Sequence, residues 1–211
     1  MKFKLLPQKP MTLYTIQELI ESADNPVILL EGRRKVKPED KEKLTRFAYN
    51  LAVAFPNVTF RTGNADGSDT LFAKGVAEAD PARIQYVVPY PSMKQKNRVD
   101  GAEVLSLDQI NKVEEEKVEY LTSNQSKSTA SMIDYVRKNP NGMMAAKTKY
   151  LLRDTLKVTG SPSGNYDSPV AAFFYIDPAD KYAGGTGHTI KICEDLNVPV
   201  YTQEDWEPLF K

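Results

Sequence analysis

Short apolar runs constrain this chain more than any other feature of its sequence. Residues 27–30 and 170–176 are uninterrupted runs, and residues 84–88 contain one polar residue, Gln85. The runs at 27–30 and 84–88 stop at Glu31-Gly32 and at Pro89. Parallel strands that are buried on both faces have such continuous apolar sequences. Apolar residues at helical spacing follow the first run, over residues 38–55. The alternation predicts an α/β fold, a Rossmann-like three-layer sandwich with a mostly parallel central sheet.

The rest of the chain extends this pattern. Residues 57–61 and 198–201 are further predicted strands, and residues 142–156 and 190–196 have helical spacing. The region from 92 to about 164 is polar and carries a charge run, so we interpret it as an elaborated insertion in a crossover. At 211 residues the chain is expected to form a single Rossmann-like domain over 1–211, with that insertion.

Charge and cysteine content limit the partners and the compartment. Lys+Arg and Asp+Glu both number 28. With a net charge of zero, the protein as a whole does not attract a polyanion, so nucleic acid is an unlikely partner. Any anion must be bound by a local group of residues. The lone Cys193 and the N-terminal MKFKLLPQKP, which lacks a signal-peptide apolar core, favour the cytoplasm. The longest apolar run has the length of a strand, so no membrane role is expected.

A glycine-rich turn follows the last long apolar run. It comprises Gly184, Gly185, Thr186, Gly187, His188 and Thr189. Glycines let backbone N–H groups approach a ligand, and the helix predicted to start here adds the positive end of its dipole. The pattern predicts a phosphate cradle, the alternative being a turn whose glycines serve packing alone.

Two further turns follow predicted strands, where ligands of parallel sheets bind. They contribute the candidate ligand-binding residues Gly32, Arg34, Gly63, Asn64, Asp66, Gly67 and Asp69. Arg34 could pair with phosphate, whereas the neighbouring Arg33 is expected to be solvated. Asp66 and Asp69 suit ribose hydroxyls, a base edge or helix capping. Two carboxylates are too few for a magnesium site, so neither a metal nor a cofactor is predicted.

His188 and Cys193 have expected roles that need no catalysis. His188 lies near a predicted helix start, where the dipole disfavours its charged form. It is expected to be a neutral hydrogen-bonding or stacking group, or a helix cap. Cys193 lies within the same helix and is most simply a small buried apolar residue.

The three turns resemble signatures of the SLOG superfamily, which includes the DNA-processing protein DprA and the LOG-type phosphoribohydrolases. Gly32-Arg33-Arg34 is similar to a G-S-R turn, residues 63–70 to G-G-A-D-G-A-D-T, and residues 184–189 to a final G-G-T turn. The resemblance implies a nucleotide-derived ligand and a homodimer. It also implies that Arg153 corresponds to an arginine that the phosphoribohydrolases use in catalysis.

The sequence differs from the phosphoribohydrolase pattern at the catalytic carboxylate. Lys191 occupies the position of the glutamate that phosphoribohydrolases use, and Glu194 follows nearly one turn later. Because cleavage of a glycosidic bond passes through a cationic state that a carboxylate stabilises, hydrolysis is weakened as a hypothesis. If the chain is an enzyme, Arg153 and Glu194 are the candidate catalytic residues.

Three functions follow. The first is binding of a nucleotide or nucleotide-derived phosphate ligand at the glycine-rich turns, as a sensor or carrier. The alternative is phosphoribohydrolase cleavage of nucleoside monophosphates. The third, single-stranded DNA binding in the manner of DprA, is least favoured, because residues 94–98 form the only compact basic cluster in the sequence.

Overall fold

The computed structural model describes residues 11–210; the N-terminal MKFKLLPQKP, used above to exclude a signal peptide, lies outside this range. The strands are β1 (Val27–Gly32), β2 (Thr59–Thr62), β3 (Ile84–Val88), β4 (Glu103–Ser106), β5 (Ala171–Tyr175) and β6 (Val200–Thr202). The helices are α1 (Leu13–Glu21), α2 (Lys41–Ala54), α3 (Ser68–Ala79), α4 (Lys112–Ser123), α5 (Lys127–Lys138), α6 (Ala145–Thr159), α7 (Gly184–Asp195) and α8 (Gln203–Trp206).

The six strands form one parallel sheet in the order β4-β3-β2-β1-β5-β6. Leu29 of β1 is in register with Arg61 of β2 on one side and with Ala172 of β5 on the other. The chain builds outward from β1 to β4 and then returns to the other side of β1. The carboxyl ends of β1 and β5 therefore flank a topological switch point, where open parallel sheets bind ligands.

Both faces of the sheet are covered. In β1, Ile28 and Leu30 join an apolar cluster with Leu44 and Phe47 of α2, whereas Leu29 joins a cluster on the opposite face with Ile190 of α7. Alternate residues of one strand thus contribute to two cores, because successive side chains point to opposite faces. The predicted Rossmann-like three-layer sandwich with a parallel sheet is confirmed.

The segment 92–164 contains an element that we did not predict. It begins with β4, which forms one edge of the sheet beside β3, and continues through α4, α5 and α6. The four residues of β4 include only two apolar side chains, and Glu103 is exposed. Strand β4 is partly solvated, so its sequence lacks the continuous apolar run that predicted β1 and β5.

Two other elements are close to their predicted positions. The helix expected over 142–156 is α6, which begins three residues later, at Ala145. The helix expected to start within the glycine-rich turn at 184–189 begins at Gly184, so that segment is the first part of α7. No helix within residues 11–210 combines the length and the apolar character that crossing a bilayer requires.

Candidate functional site

A cavity of about 850 Å³ opens at the carboxyl ends of β1 and β5. One wall is formed by the turn after β1 and the start of α3, another by α5 and α6, and a third by the start of α7. Its volume is within the range of about 300–1,000 Å³ that is typical of ligand sites. The cavity lies at the switch point of the sheet, so position and size identify it as the candidate site.

Buried charges form the floor of this cavity. Glu31 at the end of β1 lies 2.5 Å from Nζ of Lys157 on α6, and Lys157 lies 2.9 Å from Asp154 one turn earlier. All three residues are less than 5 % exposed. Thr189 Oγ1 on α7 donates to Glu31 Oε1 at 3.1 Å. Helices α6 and α7 are therefore tied to the end of the central strand by charged and polar contacts.

Arg153 joins the same cluster from the α6 side. Its Nε lies 3.1 Å from Asp154, and its Nη1 donates to the carbonyl of Gly63 at 2.5 Å. A side chain at position 63 would overlap the guanidinium, so a glycine is required for this approach. Arg153 thus links α6 to the turn after β2.

Asp69 completes the floor from the first turn of α3. Its Oδ2 accepts hydrogen bonds from the backbone N–H groups of Gly63 and Ala65, at 3.1 and 3.2 Å. Its Oδ1 is buried and has no hydrogen-bond partner within residues 11–210. Asp69 therefore holds the turn after β2 with one oxygen and leaves the other free beside the cavity.

Burial and neighbouring charges set the protonation of this cluster. Burial raises the pKa of Glu31 to about 7, despite the opposing attraction of Lys157. Burial also raises the pKa of Asp154, but Arg153 and Lys157 outweigh it and the pKa lies below its usual value. For Lys157, burial lowers the pKa, but Asp154 and Glu31 outweigh it and raise the pKa. Asp154 and Lys157 are thus charged at neutral pH, where Glu31 titrates.

His188 is neutral, as predicted. Its pKa is lowered, chiefly by burial, against the attraction of Asp154. The ring Nε2 lies 3.0 Å from Thr155 Oγ1, which in turn contacts Thr122 Oγ1 at 2.7 Å. This polar chain connects α7, α6 and α4, so His188 is a hydrogen-bonded part of the cavity wall.

The rim of the cavity is basic and aromatic. Arg34, Lys35, Lys147 and Lys191 line it, are exposed, and have no ion-pair partner in the described part of the chain. Tyr150 and Tyr182 also line it, and Lys191 Nζ lies 5.5 Å from the Tyr182 ring centre. In contrast, Arg33, which was expected to be solvated, pairs with Asp177 at 2.9 Å.

Eight of the candidate binding and catalytic residues line this cavity. Arg34 and Arg153 are both among them. The complete set is Gly32, Arg34, Asp69, Arg153, Gly184, Gly185, Thr186 and His188.

The other candidate residues have structural contacts outside the cavity lining. A side chain at Gly67 would overlap the Arg34 carbonyl, and one at Gly187 the Tyr182 carbonyl. Asn64 donates to the carbonyls of Met93 and Lys94, both at 3.4 Å. These positions therefore shape the turns. They include Gly63 and Thr189, whose contacts are given above.

Asp66 and Glu194 are likewise bound elsewhere. Asp66 pairs with Lys94 at 2.5 Å, and Glu194 accepts from the Tyr182 hydroxyl at 3.0 Å. Neither lines the cavity. Glu194 is thus not placed to serve as a catalytic carboxylate there.

Sequence reasoning missed several residues that build the site. Asp154 and Lys157 form the floor, and Tyr150 and Lys147 belong to the rim. A signal was present, because Asp154 and Lys157 are charged residues among the apolar Leu151, Leu152, Leu156 and Val158 at the end of a predicted helix. Charges in such a stretch require partners when they are buried.

Comparison with known proteins adds a structural likeness. No family model matches the chain, and no curated protein matches it. A solved structure of DNA processing protein A from Helicobacter pylori, described for its single-stranded DNA binding mode, is similar, with a TM-score of 0.50. The sequences are 13% identical, and the match covers 88% of this chain and 67% of that one. At this identity the likeness shows a shared fold.

The predicted nucleotide or phosphate ligand and the phosphoribohydrolase alternative are therefore wrong. The structural neighbour is described as a single-stranded DNA binder, which supports neither function. The cradle itself is ill suited to phosphate, because a Cβ on Gly185 would lie 2.9 Å from Asp154 Oδ2 and Thr189 is bonded to Glu31. Carboxylates beside the glycine turn repel an anion.

The expectation that nucleic acid is an unlikely partner is also overturned, since a protein of this fold binds single-stranded DNA. That expectation rested on a net charge of zero. The whole-chain sum concealed a local arrangement in which unpaired basic side chains gather at the rim of one cavity.

Proposed function

We propose that this chain binds single-stranded DNA across the cavity at the carboxyl ends of β1 and β5. One observation carries the proposal: Arg34, Lys35, Lys147 and Lys191 surround a single opening with no ion-pair partners within residues 11–210. Phosphates neutralised by such side chains release counterions, which supplies most of the affinity of non-specific binding.

The tyrosines at the same opening favour a single strand over a duplex. Tyr150 is half-buried and Tyr182 is exposed, so both have ring surface beside the basic rim. Aromatic side chains stack on unpaired bases, whose faces are hidden in a duplex. A basic groove combined with stacking platforms is the usual arrangement in proteins that bind single strands.

The shared fold and the SLOG-like turns agree with this function. The similar DNA processing protein A is described as binding single-stranded DNA, and Gly32, Arg33 and Arg34 resemble the G-S-R turn of that superfamily. We include this chain in the superfamily as part of the proposal. The buried Glu31–Lys157–Asp154 cluster then serves as a rigid floor that positions α6 and α7 around the strand.

Fluorescence anisotropy with a labelled oligothymidine of about 16 nucleotides tests the proposal, since compact binding domains cover about 4–16 nucleotides. We expect saturable binding that unlabelled single strand displaces and an equal mass of duplex does not. Equal competition by the duplex, or no binding at low salt, would contradict it.

A further inference from the structure

The carboxylates of the cavity floor outnumber its cations. Glu31, Asp69 and Asp154 face only two buried cations, Arg153 and Lys157. Asp69 is 1 % exposed, and its Oδ1 has no hydrogen-bond partner in the described chain. Buried polar atoms are nearly always satisfied, so an unpaired carboxylate oxygen beside a cavity indicates a missing donor.

Asp154 presents a further oxygen on the cavity side. Its Oδ1 lies 3.1 Å from Arg153 Nε and 2.9 Å from Lys157 Nζ, and no hydrogen bond within residues 11–210 ends on Oδ2. Oδ2 faces Gly185, where the absence of a side chain leaves space. Gly185 is exposed and lines the cavity, so this oxygen lies behind an opening through which a ligand could reach it.

Resting on the proposed function, we propose that this floor is a pocket for one base of the bound strand, and that it selects guanine through carboxylate acceptors. The guanine Watson–Crick edge carries two adjacent donors, N1–H and the N2 amino group. Asp69 Oδ1 and Asp154 Oδ2 would each accept one of them, since the other oxygen of either carboxylate is already engaged.

The other bases match the pocket less well. Adenine and cytosine each place a ring-nitrogen acceptor beside their amino group, and that acceptor would repel a carboxylate. Thymine has one N–H between two carbonyl oxygens. A site of buried acceptors discriminates strongly against a ligand that leaves them unpaired.

The neighbouring groups favour a neutral donor rather than a cation. Glu31 is faced by Lys157 and Asp154 on α6, by Asp69 on α3 and by Thr189 and Cys193 on α7. When Glu31 is protonated, the charges of Asp69 and Asp154 are balanced by those of the two cations, so no excess negative charge attracts a third cation. A base supplies N–H groups without a full charge.

The test compares oligothymidines of about 16 nucleotides with one central guanine, hypoxanthine, adenine or cytosine. Hypoxanthine retains N1–H and lacks the N2 amino group. A well-formed bidentate contact discriminates by about 5- to 150-fold, so we expect guanine to bind tighter than adenine or cytosine by that factor, with hypoxanthine between them.

Gly185→Ala separates base selection from strand binding. The added methyl group would lie 2.9 Å from Asp154 Oδ2 and obstruct its approach, while every charge is retained. We expect the variant to lose the preference for guanine, measured as the affinity for each strand relative to the affinity of the same variant for plain oligothymidine. The neighbouring Thr186→Ala, which leaves that approach open, should keep the preference.

The possible failures are distinguishable. Equal affinity for all four strands, with oligothymidine still bound, overturns base selection and leaves the proposed function standing. A guanine preference that persists in Gly185→Ala also overturns it, since the base would then be recognised elsewhere. If no strand binds the wild type, both proposals fail.

Discussion

Replacing Arg34 and Lys147 together by alanine tests whether the rim binds phosphates. Both side chains are exposed and unpaired in the described chain, so their removal leaves no buried charge. For single strands, each neutralised phosphate contributes about 0.7 to the slope of log K against log salt. Four contacts, from Arg34, Lys35, Lys147 and Lys191, give a slope of about −2.8 in the wild type and about −1.4 in the double variant.

The same relation fixes the loss of affinity. At about 0.1 M salt each contact contributes about fivefold, so the double variant should bind oligothymidine about 25-fold more weakly. Anisotropy titrations at several salt concentrations measure both quantities. Lys74→Ala is the matched control, because Lys74 is exposed on α3 in a separate groove between α2 and α3. An unchanged slope in the double variant, or an equal change in Lys74→Ala, would refute the assignment.

Three further substitutions have defined outcomes. Tyr150→Ala should weaken strand binding by about 1–3 kcal/mol through lost stacking, whereas Tyr150→Phe should bind normally; equal losses in a titration would implicate the hydroxyl instead. Lys157→Met should lower the free energy of unfolding by about 3–5 kcal/mol, because the buried carboxylates of Glu31 and Asp154 lose Lys157 as an ion-pair partner. Urea denaturation that shows no loss of stability would contradict these ion pairs. The pKa of Glu31 is about 7 in the folded protein and 4.5 in the unfolded chain, so between these pH values the folded state binds more protons. The free energy of unfolding therefore falls as the pH rises from 4.5 to about 7. Glu31→Gln should remove this fall, and parallel stability curves for the two proteins would show that Glu31 does not titrate there.

Strands β1 and β5 were predictable because they are buried on both faces and contain continuous apolar runs. Edge strand β4 was missed because Glu103 and its neighbours carry no such run. The glycine-rich turns identified the correct end of the sheet. The ligand of these turns could not be predicted, because the sequence does not show whether a glycine leaves space for a ligand or for another group of the protein. Gly63 admits the Arg153 guanidinium, and Gly187 admits the Tyr182 carbonyl.

The buried charge cluster could not be predicted in the same way. Glu31 and Lys157 lie far apart in the chain and meet only because β5 returns beside β1 and brings α6 over its end. Pairings of this kind depend on the topology, which local patterns do not encode. The basic rim was missed for a related reason, since Arg34, Lys147 and Lys191 come from three separate segments.

The position of β1 between β2 and β5 has a consequence for synthesis on the ribosome. Strands β1 to β3 follow one another closely in the chain, but the second edge of β1 is completed only when residues 171–175 have been made. Until then the nascent chain presents an open apolar strand edge, and such edges promote association between chains. Pairing of distant segments also slows folding. Pairing of β5 with β1 therefore comes late in synthesis, after four strands of the sheet have been made.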